Sequence, residues 1–165
     1  MPSKNQATTP DPDVDQPPTI APGHEEFALE GFLPYRLSIL TQTVSGALAR
    51  LYADRFGLSV PQWRVMAVLG RFQPLSANDV CEKTVMDKVA VSRAVAAMLK
   101  RGLVERTIDR ADRRRSALRL TRRGQAIHRQ IVPLALHYER RLLDTLSPQE
   151  RKEFNAVLDR LLANA

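Results

Sequence analysis

The chain has one cysteine, three histidines and few rings: Phe, Tyr and Trp make up 5% of its 165 residues. A lone Cys81 cannot close an intramolecular disulfide, and no zinc-type spacing occurs. The histidines, at 24, 128 and 137, join no paired carboxylates, glycine-rich loop or metal-spaced cluster. An enzyme, a bound metal and a cofactor are therefore not expected. Scarce aromatics argue against a base-stacking platform for single strands or RNA. No apolar run approaches the ~18 residues of a membrane span, and the N-terminus lacks a signal-peptide core. A cytoplasmic chain with no membrane partner is the expectation. Acids are also short, 18 against 25 Lys and Arg, for a formal charge of +7. That balance favours a polyanionic partner.

What is present is enough for one packed domain: 44% of residues are apolar. Residues 1–26 form a tail, with six of the eleven prolines and almost no large apolar side chains. Such a segment cannot bury enough surface to offset its ordering entropy. Lys4 faces Asp11, Asp13, Asp15, Glu25 and Glu26, so the tail is acidic. It reads as a solvated arm, or as one that touches the basic region or a neighbouring subunit.

The rest divides into a first helix (27–57), a central domain (58–122) and C-terminal helices (123–165). Leu37, Leu40, Val44, Ala47 and Leu51 recur at spacings of 3 and 4 over 34–56, widened by Leu33, Leu48 and Tyr52. This is a heptad-like seam suited to association with other helices, including those of a second chain. Gly57 suits its C-terminal cap. Ser59-Val60-Pro61-Gln62 is a capping box opening a second helix, with Trp63, Met66 and Leu69 on its inner face. Ser76 and Asp79 open a short third helix that carries Cys81. That thiol reads as a small buried hydrophobe; the competing reading is a redox sensor. A fifth helix runs from the cap Thr121 to about Leu143, with Pro133 inside and expected to bend it. A sixth opens at the capping box Ser147–Glu150 and carries Phe154, Val157, Leu158, Leu161 and Leu162 on one stripe.

The stretch 87–124 concentrates the charge. Residues 100–123 hold ten Lys and Arg against three acids, a surplus equal to that of the whole chain. Asp87 caps a fourth helix that ends at Gly102, with Val91, Val95, Met98 and Leu99 facing inward. The opposite face carries Val89, Arg93, Ala96, Ala97 and Lys100, flanked by Ala90 and Ser92. Small side chains permit close approach to a major groove, and Arg93 can read a guanine edge with two hydrogen bonds. Val89 and Ala90 suit a thymine methyl, and Lys88 and Ser92 suit phosphates. The plainer reading of this face is a solvated surface.

The next segment shifts that balance. Residues 103–108 and 117–120 read as strands around a basic tip, with Arg110, Arg113, Arg114 and Arg115 suited to a narrow minor groove or its phosphates. Asp112 is expected to pair with Arg114 or a nearby arginine and shape the tip. With Ser76, these residues complete the expected DNA-contact set. The fold class is mainly α with a small β-wing: a winged helix-turn-helix domain plus a helical dimerisation region, about six helices and one hairpin.

The chain resembles the MarR family of winged helix-turn-helix regulators over roughly 33–163. The matching stretches are LSVPQWRVMAVL at 58–69, VSRAVAAMLKRGLVER at 91–106, DRADRRRSALRLTRRG at 109–124 and LSPQE at 146–150. Asp-x-Arg followed by Leu-Thr-x-x-Gly is the most specific part. The resemblance implies an obligate homodimer joined through the first and the last two helices. It implies base contacts at Val89, Ala90 and Arg93, and a wing arginine, Arg114, oriented by Asp112. The family often has a proline or polar residue where this chain has Val89 and Ala90. It also implies a repressor released from a palindromic operator by a small molecule, often a phenol or aromatic carboxylate. Tyr35, Arg36, Trp63 and His128 are the effector candidates at the implied pocket. Trp63 has a plainer reading as core, and His128 as a surface or satisfied polar residue. The rival functions are an architectural protein that coats DNA without choosing sites and a redox switch built on Cys81.

Overall fold

The computed structural model describes residues 27–108 and 116–164. The tail, and the wing-tip residues Arg110, Asp112, Arg113, Arg114 and Arg115, lie outside the described residues. In chain order the helices and strands are α1 (Leu33–Phe56), α2 (Val60–Phe72), α3 (Ala77–Thr84), α4 (Lys88–Lys100), β1 (Val104–Ile108), β2 (Ser116–Leu120), α5 (Arg122–Leu143) and α6 (Pro148–Asn164). This is the mainly helical class with one antiparallel hairpin that the sequence leads one to expect.

Two units meet in sequence at Ser38 and Ile39, inside α1. In the first, a 3-10 turn at Leu29–Gly31 precedes α1, and the rings of Phe27 and Phe32 meet edge-on at 5.1 Å. The second unit holds the winged domain and the two last helices.

Five helices of the second unit start where their caps direct. The Ser59 amide donates to Gln62 Oε1 at 3.1 Å, and the Gln62 amide donates back to Ser59 Oγ at 3.4 Å. Ser76 with Asp79, and Ser147 with Glu150, form the same reciprocal box. Asp87 accepts from the Ala90 amide at 2.8 Å and Thr121 from the Gly124 amide at 3.1 Å. Each cap satisfies amides that a helix start leaves without partners. Gly57 and Gly102, at φ of +61° and +64°, end α1 and the α4 segment in the left-handed region that glycine adopts at no steric cost.

The core gathers Tyr52 of α1, Leu58 of the link that follows it, Val65, Met66 and Leu69 of α2, Val80 of α3, Val91, Ala94, Val95 and Met98 of α4, Leu103, the strand residues Val104, Leu118 and Leu120, and Ile131 of α5. Each such Leu, Met or Val contributes about 1.5–3 kcal/mol through removal from water. Helix α2 is central, packing on α3, α4, α5 and β2. The hairpin pairs Val104 with Leu120 through to Ile108 with Ser116. Leu75 adds a one-residue third strand, exchanging hydrogen bonds of 2.7 and 3.2 Å with Leu118. The Gln73 side chain accepts from the Leu120 amide at 2.6 Å. Pro133 lies inside α5 without ending it.

The seam of α1 divides between two directions. Leu48, Ala49, Tyr52 and Phe56 pack on the core, whereas Leu40 and Leu51 are exposed. On α6 no residue is buried, and Phe154, Val157, Leu161 and Leu162 are all exposed.

Candidate nucleic-acid interface

The pair α3–α4 with its three-residue turn is a helix-turn-helix. The turn begins at Val85, whose φ of +52° and ψ of +41° close α3 in the left-handed region. Its amide reaches the Glu82 carbonyl at 3.3 Å, and the next amide, of Met86, reaches that of Cys81 at 3.3 Å. Met86 packs on the core and anchors the turn, while Val85 itself is 91% exposed. Asp87 then restarts the chain as α4.

Burial divides α4 into two faces. Val91, Ala94, Val95 and Met98 are buried. Lys88, Val89, Ser92, Arg93, Ala96 and Lys100 are exposed, and Ala90 is half-buried at their edge. The reading set from sequence thus shares one free face near the start of α4. No acid sits in the first turn of this helix. The cap Asp87, bonded to the Ala90 amide at 2.8 Å, is the acid that offsets the positive N-terminal dipole. Ala94 is the one inward residue that the pattern of large apolar positions passed over.

Arg93 does more than stand in solvent. With Ala90 and Ala94 it lines one wall of a cleft of about 290 Å³, whose other wall is Ser59, Pro61 and Gln62 at the start of α2. Sequence alone shows Ser59 and Gln62 as a cap, and no periodic signal ties them to α4. Ser76 is half-buried, its Oγ accepting from the Asp79 amide at 3.1 Å. The cap holds the Asp79 carboxyl below its usual range, chiefly through the backbone hydrogen bond from Ser76. On the wing, Arg119 and Arg106 are exposed on the paired strands.

A second cleft, of about 360 Å³, lies between α2 and α5. Trp63, Ala67, Val132 and Leu136 give it apolar walls, and Arg71 and His128 are its polar members. Trp63 packs on the core and stacks on His128 with ring centres 6.2 Å apart, so it is at once core and cleft wall. The imidazole is half-buried, resting so close over the Gly70 α-carbon that a side chain there would displace it. Burial, and then the charge of Arg129, hold His128 below its ordinary pKa of 6.5. Tyr35 and Arg36 stand on the first turns of α1, within the first unit. Cys81 is half-buried on α3 against the core. No described helix is long and apolar enough to cross a membrane.

Residues 56–115, from the last residue of α1 to the residue before β2, match the sequence model of the MarR family. The transcriptional regulator HosA of Escherichia coli O127:H6 is 28% identical over 123 residues, which span 74% of this chain and 91% of that protein. The crystal structure of the S. aureus MepR–DNA complex shares the fold, with a TM-score of 0.74 at 20% identity over 81% of this chain and 98% of that one. A MarR-family transcriptional regulator from Silicibacter pomeroyi superimposes with a TM-score of 0.71 at 30% identity, covering 84% of this chain and 93% of that one. Matched at that identity over nearly the whole length of a known member, the chain belongs to the MarR family of DNA-binding transcriptional regulators.

Proposed function

We propose that the protein is a homodimeric repressor that reads a palindromic operator with α4 and leaves it when a small effector binds. The observation carrying this reading is the free face of α4, where Lys88, Val89, Ser92, Arg93 and Lys100 are exposed together around the half-buried Ala90. Arg93 reads a base edge, Val89 and Ala90 meet a thymine methyl, and Lys88, Ser76 and Ser92 hold phosphates. The wing arginines Arg110, Arg113, Arg114 and Arg115, shaped by Asp112, enter or flank the minor groove.

Dimerisation through α1, α5 and α6 is supported by the apolar side chains that one chain leaves in water: Leu40, Leu51, Leu142, Phe154, Val157, Leu161 and Leu162. A patch of this kind marks an association surface. Two-fold pairing places the α4 helices in successive major grooves, about 10–10.5 bp apart. The segments 27–57, 58–122 and 123–165 then act as dimer helix, reading domain and dimer helices.

The effector candidates of this reading are Tyr35, Arg36, Trp63 and His128. The supported part is the cleft between α2 and α5, whose size fits a small ring. A planar aromatic acid, free or as its thioester, stacks on Trp63, with Arg71 against its carboxylate. An effector acts only by favouring one spacing of the two reading heads. A thermal-shift screen of aromatic acids finds it, since binding raises the melting temperature by mass action.

Footprinting on the protein's own upstream DNA at physiological salt tests the whole reading. A discrete, two-fold protected site is the expected result. Uniform protection would mean an architectural protein instead.

A further inference from the structure

Arg101 is one of the ten basic residues of the charged stretch, yet its guanidinium is not offered to a polyanion. It donates from Nη1 to the Gly57 carbonyl and from Nη2 to the Phe56 carbonyl, each at 2.6 Å. Those are the last carbonyls of α1, groups that a helix end leaves without partners and that carry its negative dipole. Arg101 itself is the residue that ends α4, its amide bonded to the Ala97 carbonyl at 3.1 Å. One side chain thus joins the C-terminus of α1 to the C-terminus of α4 across 44 residues of sequence.

The backbone around Arg101 joins a third helix. The Thr121 hydroxyl donates to the Gly102 carbonyl at 2.7 Å, and the Thr121 amide donates to that of Leu103 at 3.1 Å. Arg123 Nη1 reaches the Arg101 carbonyl at 3.4 Å. Gly124 lies directly against the Leu103 carbonyl. The segment 101–103 is therefore where the end of α1, the end of α4 and the start of α5 are bonded together.

We infer that Arg101 is a positioning residue for DNA recognition: it sets the attitude of α4 relative to the dimerisation helices and carries changes in α1 to the reading face. This rests on the proposal that α4 reads DNA and that α1 and α5 join the two copies. A guanidinium suits the task because its planar fork holds two acceptors at once in fixed directions, which an ammonium cannot do. Gly57 is part of the joint. Its φ is +61°, and a β-carbon there would stand in contact with Nη2, 3.5 Å away.

The test compares two duplexes: the full site selected by the wild type from random DNA, and the same duplex with one half scrambled. Binding is measured over a range of salt for the wild type, Arg101→Gln, Arg101→Lys, Lys100→Ala and Arg93→Ala. We expect Arg101→Gln to lose roughly tenfold on the full site, where head spacing matters, and little on the half site. Its salt slope stays that of the wild type. Arg101→Lys, which keeps the charge but not the fork, shows the same pattern and guards against a misfolded glutamine variant. Lys100→Ala instead flattens the slope by about one.

If the Arg101 variants flatten the slope, or if lysine restores wild-type binding, Arg101 is a phosphate contact and the inference is wrong. Equal losses on both duplexes, or none on either, also overturn it. Failure of the underlying reading shows separately, as an Arg93→Ala protein with unaltered base preference or a wild type that does not distinguish the two duplexes.

Discussion

The α-carbon of Gly124 rests against the main-chain oxygen of Leu103, leaving no room for a β-carbon between α5 and the end of the α4 segment. This contact explains the Leu-Thr-x-x-Gly run of the sequence in physical terms. Leu120 is buried core, Thr121 caps α5 and bonds the Gly102 carbonyl, and Gly124 permits the approach. Gly124→Ala must push backbone against backbone. It should cost about 1–3 kcal/mol, read as a lower denaturation midpoint at unchanged helical content.

Val85 should behave in the opposite sense. A β-branched residue at φ +52° is strained, and at 91% exposure its side chain recovers almost nothing by burial. Val85→Gly relieves the strain and is expected to stabilise the chain by about 0.5–1 kcal/mol, after the entropy that glycine costs in the unfolded chain. Urea denaturation decides it: a fall in midpoint would show that the turn is not strained.

The pH dependence of stability carries the signature of His128. Burial first, and Arg129 second, disfavour the imidazolium in the folded chain. The unfolded chain binds that proton more readily, near pH 6.5, so stability rises with pH wherever the two states differ in protonation. The His128 contribution is complete above 6.5. It is lost as pH falls from there toward the lower folded value and then levels off. Melting curves between pH 5 and 8 should show this loss in the wild type and a smaller one in His128→Gln. Equal loss in both proteins would remove His128 from the account.

Exposed apolar side chains of α6 test the dimer. Val157→Glu and Leu161→Glu alter side chains that remain exposed within one chain. Sedimentation should find folded monomers in place of dimers. A dimer that survives both changes places the joint elsewhere.

Much of this fold was legible because the local signals agree with one another. Ser59, Ser76, Asp87, Thr121 and Ser147 each announce a helix start, and each side chain makes its cap. The alternation of Leu118 and Leu120 with Arg119 gave the wet face of β2. What stayed hidden depends on contacts distant in sequence. Leu75 makes a single bridge to Leu118, too short to leave a period. Arg101 looks like any other cation in a basic run, and only the position of the α1 carbonyls sets it apart. Gln62 reads as a cap and nothing in its spacing shows that it faces Arg93 across a cleft.

The central claim is that the exposed face of α4 chooses the DNA sequence, with Arg93 as its main donor. Selection of bound duplexes from a randomised pool, run in parallel with the wild type and Arg93→Ala, tests it most directly. The account predicts a two-fold consensus for the wild type, and relaxed preference at one base pair per half-site for the variant, worth about 1–3 kcal/mol there. An identical consensus from both proteins would contradict it.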